Sequence, residues 1–102
     1  MPDFVRVAKE SDLPVGSSKE VELQGRVVAL FNLGAQIHAI DGICPHAGGP
    51  LSEGTVEGTI VTCPWHGWQF DVTSGRNSYN VSCVQKTFEV KVEGGEIFLL
   101  LP

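Results

Sequence analysis

Positive charge is scarce in this 102-residue chain, with 7 Lys and Arg against 12 Asp and Glu for a formal charge of −5. No basic stripe runs along any segment, which argues against nucleic acid or an anionic membrane as a partner. Long apolar runs are missing too, and nothing approaches the roughly 20 residues of a membrane-spanning helix. The opening residues lack a basic segment followed by an apolar core, so they do not read as a secretory leader. A cytoplasmic protein is the expectation. No Gly-x-Gly-x-x-Gly follows a strand-like run, which excludes a recognisable dinucleotide site. Helical periodicity, internal repeats and low-complexity tracts are absent. Cysteine and histidine are sparse, at three each.

What is present is enough for one folded domain, expected to span 1–102. Hydrophobic residues make up 42% of the chain, which supports a globule rather than a disordered polymer. Short β-type runs follow one another: Phe4 to Ala8, Lys19 to Leu23, Arg26 to Phe31, Gln36 to Ile40, Thr59 to Thr62, Gln69 to Val72, Phe88 to Val92 and Ile97 to Leu101. Val21 and Leu23 alternate with Glu20 and Glu22, the period-two signature of a half-buried strand. Asn32-Leu33-Gly34 reads as a turn, and Gly94-Gly95 reads as the tip of a hairpin. The expected class is all-β, an antiparallel sandwich with functional loops projecting from one end.

Two segments carry chemistry: Cys44-Pro45-His46 and Cys63-Pro64-Trp65-His66. In a Cys-x-His pair on a tight turn, both side chains can point into one small volume. Pro45 and Pro64 stiffen the chain after each cysteine, and Gly48, Gly49 and Gly67 permit the turns beyond each histidine. Two thiolates and two imidazoles can hold a [2Fe–2S] cluster in which one iron takes both sulfurs and the other both nitrogens. The same four donors could bind zinc tetrahedrally, although the Cys-x-His spacing and the glycine framing argue against it. With two of the three histidines committed here, a mononuclear iron site needing two His and a carboxylate cannot be built as well.

The stretch from Cys44 to Leu51, together with Cys63-Pro64-Trp65-His66-Gly67-Trp68, resembles the cluster-binding loops of Rieske iron–sulfur proteins. Asp12-Leu13-Pro14-Val15-Gly16 and Phe70-Asp71-Val72-Thr73-Ser74-Gly75 extend the similarity to small Rieske-type ferredoxins, including the ferredoxin components of ring-hydroxylating oxygenase systems. The resemblance implies a Rieske-like β-sandwich. It also implies that Cys44 and Cys63 bind the buried iron and that His46 and His66 bind the outer one through Nδ1. Rieske subunits of cytochrome bc-type complexes join the two loops by a disulfide, but the corresponding positions here are Gly49 and Trp65, so that bridge cannot form. Trp68 and Phe70 replace the Ser and Tyr that donate hydrogen bonds to the cluster sulfurs in those subunits. Fewer donors imply a potential near the lower end of the range of roughly −150 to +300 mV.

By the same resemblance, the chain is expected to be an electron carrier rather than an enzyme. A flavin or iron–sulfur reductase would supply the electron, and a terminal oxygenase or similar oxidoreductase would accept it. A second reading is the small Rieske-like subunit of a nitrite reductase-type enzyme. Docking is expected around Pro45, His46, Gly48, His66, Gly67 and Trp68, with Trp65 covering the cluster. The acidic balance serves solubility, and a weaker alternative is that acidic patches steer a basic redox partner. The remaining polar residues read as structural: His38 as a solvent-facing strand residue, Glu53, Glu57 and Asp71 as solvated charges. Cys83 reads as a small core or edge residue that suits a reducing compartment. Segment 76–82 lacks the prolines this family often has there.

Overall fold

Runs of β-branched and aromatic residues between glycine-marked turns fold into strands throughout the described residues, which in this computed structural model are 3–34, 36–43, 50–65, 67–77 and 84–100. The strands are β1 (Phe4–Lys9), β2 (Ser18–Leu23), β3 (Arg26–Asn32), β4 (Ile37–Asp41), β5 (Thr55–Glu57), β6 (Ile60–Thr62), β7 (Gln69–Asp71), β8 (Thr87–Phe88), β9 (Val90–Glu93) and β10 (Glu96–Leu100). They form three antiparallel sheets ordered β1-β10-β9, β2-β3-β4-β8 and β5-β6-β7. The only other regular elements among the described residues are single 3₁₀ turns at Glu10–Asp12 and Leu51–Glu53.

The middle strands β3 and β4 of the central sheet are covered on both faces, which explains why β3 reads as a continuous apolar run, Val27 to Phe31, rather than an alternation. One face carries Val28, Leu30, Ile37 and Ala39 and packs against Ile97 and Leu99 of the first sheet. The other carries Ala29, Phe31 and Ile40 and packs against Val61, Phe70, Leu51 and Cys63. Phe31 and Phe70 are fully buried, and each such side chain stabilises the fold by roughly 1.5–3 kcal/mol relative to exposure. The sandwich expected from the pattern is therefore present, with the small sheet β5-β6-β7 as a third layer over its second face.

Two turns follow their sequence cues. The Asn32 side chain donates to Leu13 O at 2.7 Å and accepts from the Gly34 N–H at 2.9 Å, tying the β3–β4 turn to the segment before β2. Gly94 and Gly95 have φ of 59° and 78°, the two positive values of a type I′ hairpin. One expectation is corrected. Phe88 to Val92 is not one strand: Thr87–Phe88 pairs with β4, whereas Val90–Glu93 pairs with β10, and the chain changes sheet at Glu89. Alternation alone carries no information about which neighbour each half finds.

Candidate metal centre

The four sequence-predicted ligands fall on two segments, one running from β4 of the central sheet toward β5 of the small sheet and one joining β6 to β7. Cys63 follows β6 directly, in the segment that joins it to β7. Its side chain is 1% exposed and lies in the core formed with Leu51, Val61 and Phe70. The Cys63 N–H donates to Trp68 O at 2.7 Å, closing the turn. Within it, the Trp65 N–H points at Cys63 Sγ, 3.4 Å away. A backbone donor aimed at sulfur favours the thiolate, the form in which cysteine binds metal. Gly67 takes φ 74°, as expected for a glycine at this turn. Cys44, Pro45, His46, Gly48, Gly49, His66 and Cys83 lie outside the described residues, as does 78–82.

The flanks of the first segment are well defined. Ile43 and Pro50 pair as an isolated bridge, and the Leu51 N–H donates to Gly42 O at 2.8 Å. The 3₁₀ turn at Leu51–Glu53 then delivers the chain into β5, which pairs with β6. At Gly54 any Cβ would stand 2.2 Å from Thr62 O and 2.9 Å from Val61 Cγ2. That close approach brings the exit of the first segment against the residue preceding Cys63. Ser18 Oγ donates to Ser52 O and anchors the same 3₁₀ turn from β2. The flanks of both ligand segments therefore meet on one side of one core, where Cys63 lies as a buried thiol. A thiol-and-imidazole metal group fits this donor chemistry.

Several expectations for neighbouring residues change. Trp65 is 51% exposed beside the buried Cys63. Trp68 is half-buried, with its ring centroid 6.4 Å from that of Phe70. Phe70 is fully buried beneath it and offers no hydroxyl. His38 is half-buried rather than solvent-facing; it pairs with Phe31 and so shares the face that meets the small sheet. Asp71 is not simply a solvated charge. Partial burial raises its pKa, but this is outweighed by hydrogen bonds from the Thr73 hydroxyl and N–H and from the Thr59 side chain, with a further contribution from the charge of His38. The net effect holds the carboxyl below its ordinary value.

Residues the sequence reading passed over also act here. Gln85, 6% exposed, donates from Nε2 to Ile43 O at 2.7 Å and to Asp41 O at 3.2 Å. Its own N–H donates to Gly75 O at 2.6 Å. No spacing rule marks such a glutamine in a sequence.

Comparison with known proteins decides among the metal groups. The family described as Rieske [2Fe-2S] domain matches residues 3–91. The chain belongs to this family. Its similarity to the ferredoxin component of a naphthalene 1,2-dioxygenase system from Pseudomonas aeruginosa is 34% identity over 89 residues, 86% of each chain. The solved ferredoxin of carbazole 1,9a-dioxygenase from Nocardioides aromaticivorans IC177 is 31% identical and covers 97% of each chain, with a TM-score of 0.84. A complex of reduced oxygenase and oxidised ferredoxin in carbazole 1,9a-dioxygenase contains a chain 32% identical, with 95% of this chain and 92% of that one covered and a TM-score of 0.83. This Rieske domain is an electron-transfer protein that carries a [2Fe–2S] cluster, and the zinc alternative falls. Among the described residues, no helix is long and apolar enough to cross a membrane.

Proposed function

We propose that this Rieske domain is a single module, spanning 1–102 in the cytoplasm, that takes one electron from a flavin or iron–sulfur reductase and delivers it to a terminal oxygenase or similar oxidoreductase. The proposed ligands are Cys44 and Cys63 on the inner iron and His46 and His66 on the outer. The observation that carries the assignment is the buried Cys63 thiol, with a backbone N–H directed at its sulfur, beside the flanks of the Cys44–His46 segment. Once bound, the cluster supplies a reversible one-electron couple.

The chain's own residues supply the rest. Leu51, Val61 and Phe70 exclude water from the thiolate side, and the Trp65 N–H offsets part of its negative charge. The histidine side is proposed to face the partner, with Pro45, Gly48, Gly67 and Trp68 around it. The acceptor class is supported by the relative that was solved in complex with an oxygenase. Transient contacts of this kind typically bury less than about 1,200 Å² in total.

The test is direct. Anaerobically prepared protein should contain acid-labile sulfide and give, when reduced, an EPR spectrum of low average g. Its midpoint potential should lie below zero on the scale of roughly −150 to +300 mV, because Phe70 lacks the hydroxyl donor. Cys63→Ser should lose the spectrum. Colourless protein containing zinc would overturn the assignment, and a midpoint well above zero would overturn the role given to Phe70.

A further inference from the structure

The first ligand segment leaves the central sheet after β4 and enters the small sheet through the 3₁₀ turn and β5, whereas the second joins β6 to β7 of that small sheet, and Gly49 and Trp65 leave no cysteine pair to bridge the two loops. A metal group shared between them still needs a fixed separation. On one side Gly54 against Thr62 O supplies it. A connected chain of hydrogen bonds supplies it on the other, starting from the strand that leaves the second segment.

Asp71, the last residue of β7, accepts at its backbone oxygen from the Gly75 N–H at 2.6 Å. Gly75 in turn accepts from the Gln85 N–H at 2.6 Å. Gly75 has φ 79°, and a Cβ there would stand 1.9 Å from Gln85 O, so only glycine lets the two backbones meet. The Gln85 side chain then reaches across to Ile43 O at 2.7 Å, on the residue that immediately precedes Cys44. Its second bond, to Asp41 O at 3.2 Å, grips the end of β4. Lys86 O accepts from the Asp41 N–H at 2.9 Å and closes the same junction.

We propose that Gln85 is a positioning residue: its side-chain amide holds the flank of the first ligand segment in register with the second, as a hydrogen-bonded strut. The amide is suited to this. One nitrogen carries two donors, both needed by carbonyls that leave the sheet at the end of β4. A part-buried carbonyl deprived of its donor favours a backbone shift toward water, and here the first residue to move is the neighbour of a proposed ligand. The inference rests on the ligand assignment above, but its readouts need no reductase or oxygenase.

The test uses the holoprotein. Gln85→Met has similar length and volume and no donor. It should lose cluster at least about fivefold faster than wild type and broaden and shift the g values of the reduced state. Ile97→Val and Leu99→Ala, in the core on the other face of the central sheet, should lower the melting temperature while leaving the g values at their wild-type positions. Gln85→Glu provides a second route if the Met variant does not fold. Below its carboxyl pKa it keeps one O–H to donate; at higher pH it turns a negative charge toward two carbonyl oxygens. Its g values should therefore move through that titration while those of wild type stay fixed.

Wild-type g values and cluster lifetime in Gln85→Met, or g values in Gln85→Glu that do not move with pH, would overturn the proposal. So would control variants that disturb the g values equally. Absence of labile sulfide from wild-type protein would remove the ligand assignment itself, a result distinct from any of these.

Discussion

The carboxylate of Asp71 organises the bend that follows β7. It accepts from the Thr73 N–H at 2.9 Å and from the Thr73 hydroxyl, while its backbone oxygen accepts from Ser74 and Gly75. An Asx turn of this kind uses the charged oxygen as a stand-in for a backbone carbonyl. Hydrogen bonding to the charged form wins over partial burial, so the folded pKa lies below the unfolded value of 3.8. The sign follows from that ordering. The contribution is fully present above pH 3.8 and is lost as pH falls through the lower folded value. Asp71→Ala should cost on the order of 1 kcal/mol at pH 7, lowering the melting temperature by about 5 °C. The difference in urea midpoint between variant and wild type should shrink near pH 3. A difference that is unchanged between pH 7 and pH 3 would show that the turn, not the charge, carries the effect.

At the scale of elements, the most demanding junction is Gly54, between the 3₁₀ turn and β5. Its φ of −75° and ψ of 165° suit any residue, so conformation does not require glycine there. Proximity does: a methyl group would overlap Thr62 O, a backbone atom that cannot swing aside. Gly54→Ala should therefore destabilise by about 1–3 kcal/mol, the usual cost of overpacking, and should loosen the cluster as Thr62 is pushed toward Cys63. Denaturation midpoint and retention of visible absorbance would check both effects, with Glu57→Ala, exposed on β5, as the milder comparison.

The elements also show what a sequence exposes and what it hides. The strand positions and the central apolar run were legible because burial on one or both faces leaves a period in the residues. The ligand motif was legible because paired cysteine and histidine at short spacing are chemically rare. β5 is three residues between glycines, too short to leave a pattern. Glu89, where the chain changes sheet, and Gln85, which bonds to carbonyls, leave none either. Such contacts are set by three-dimensional packing, and any polar side chain in a loop looks alike beforehand.

Across the whole molecule, charge is distributed unevenly along the chain. Residues 42–52, 58–70 and 77–85 contain no Asp, Glu, Lys or Arg, although the chain carries a net −5. The first two stretches hold every proposed ligand, and the third leads into Gln85. Among the described residues in them, Ile43, Trp65 and Val84 are exposed at 43%, 51% and 53%. A docking surface built from these stretches would desolvate apolar area and few ions, so the acidic excess is better placed to serve solubility than steering. Steered association falls steeply as salt shortens the screening length from about 30 Å at 0.01 M to about 8 Å at 0.15 M. For this Rieske domain, the second-order rate of electron transfer to the proposed oxygenase acceptor should change less than about twofold across that interval and remain in the unsteered range of roughly 10⁵–10⁷ M⁻¹s⁻¹. Trp65→Ala should lower that rate while leaving the midpoint potential in place, because the backbone N–H directed at Cys63 Sγ survives the substitution. Stopped-flow reduction of the oxygenase at the two ionic strengths measures both effects. A tenfold fall with salt would return the acidic residues to the interface, and a shifted potential in Trp65→Ala would return its ring to the cluster.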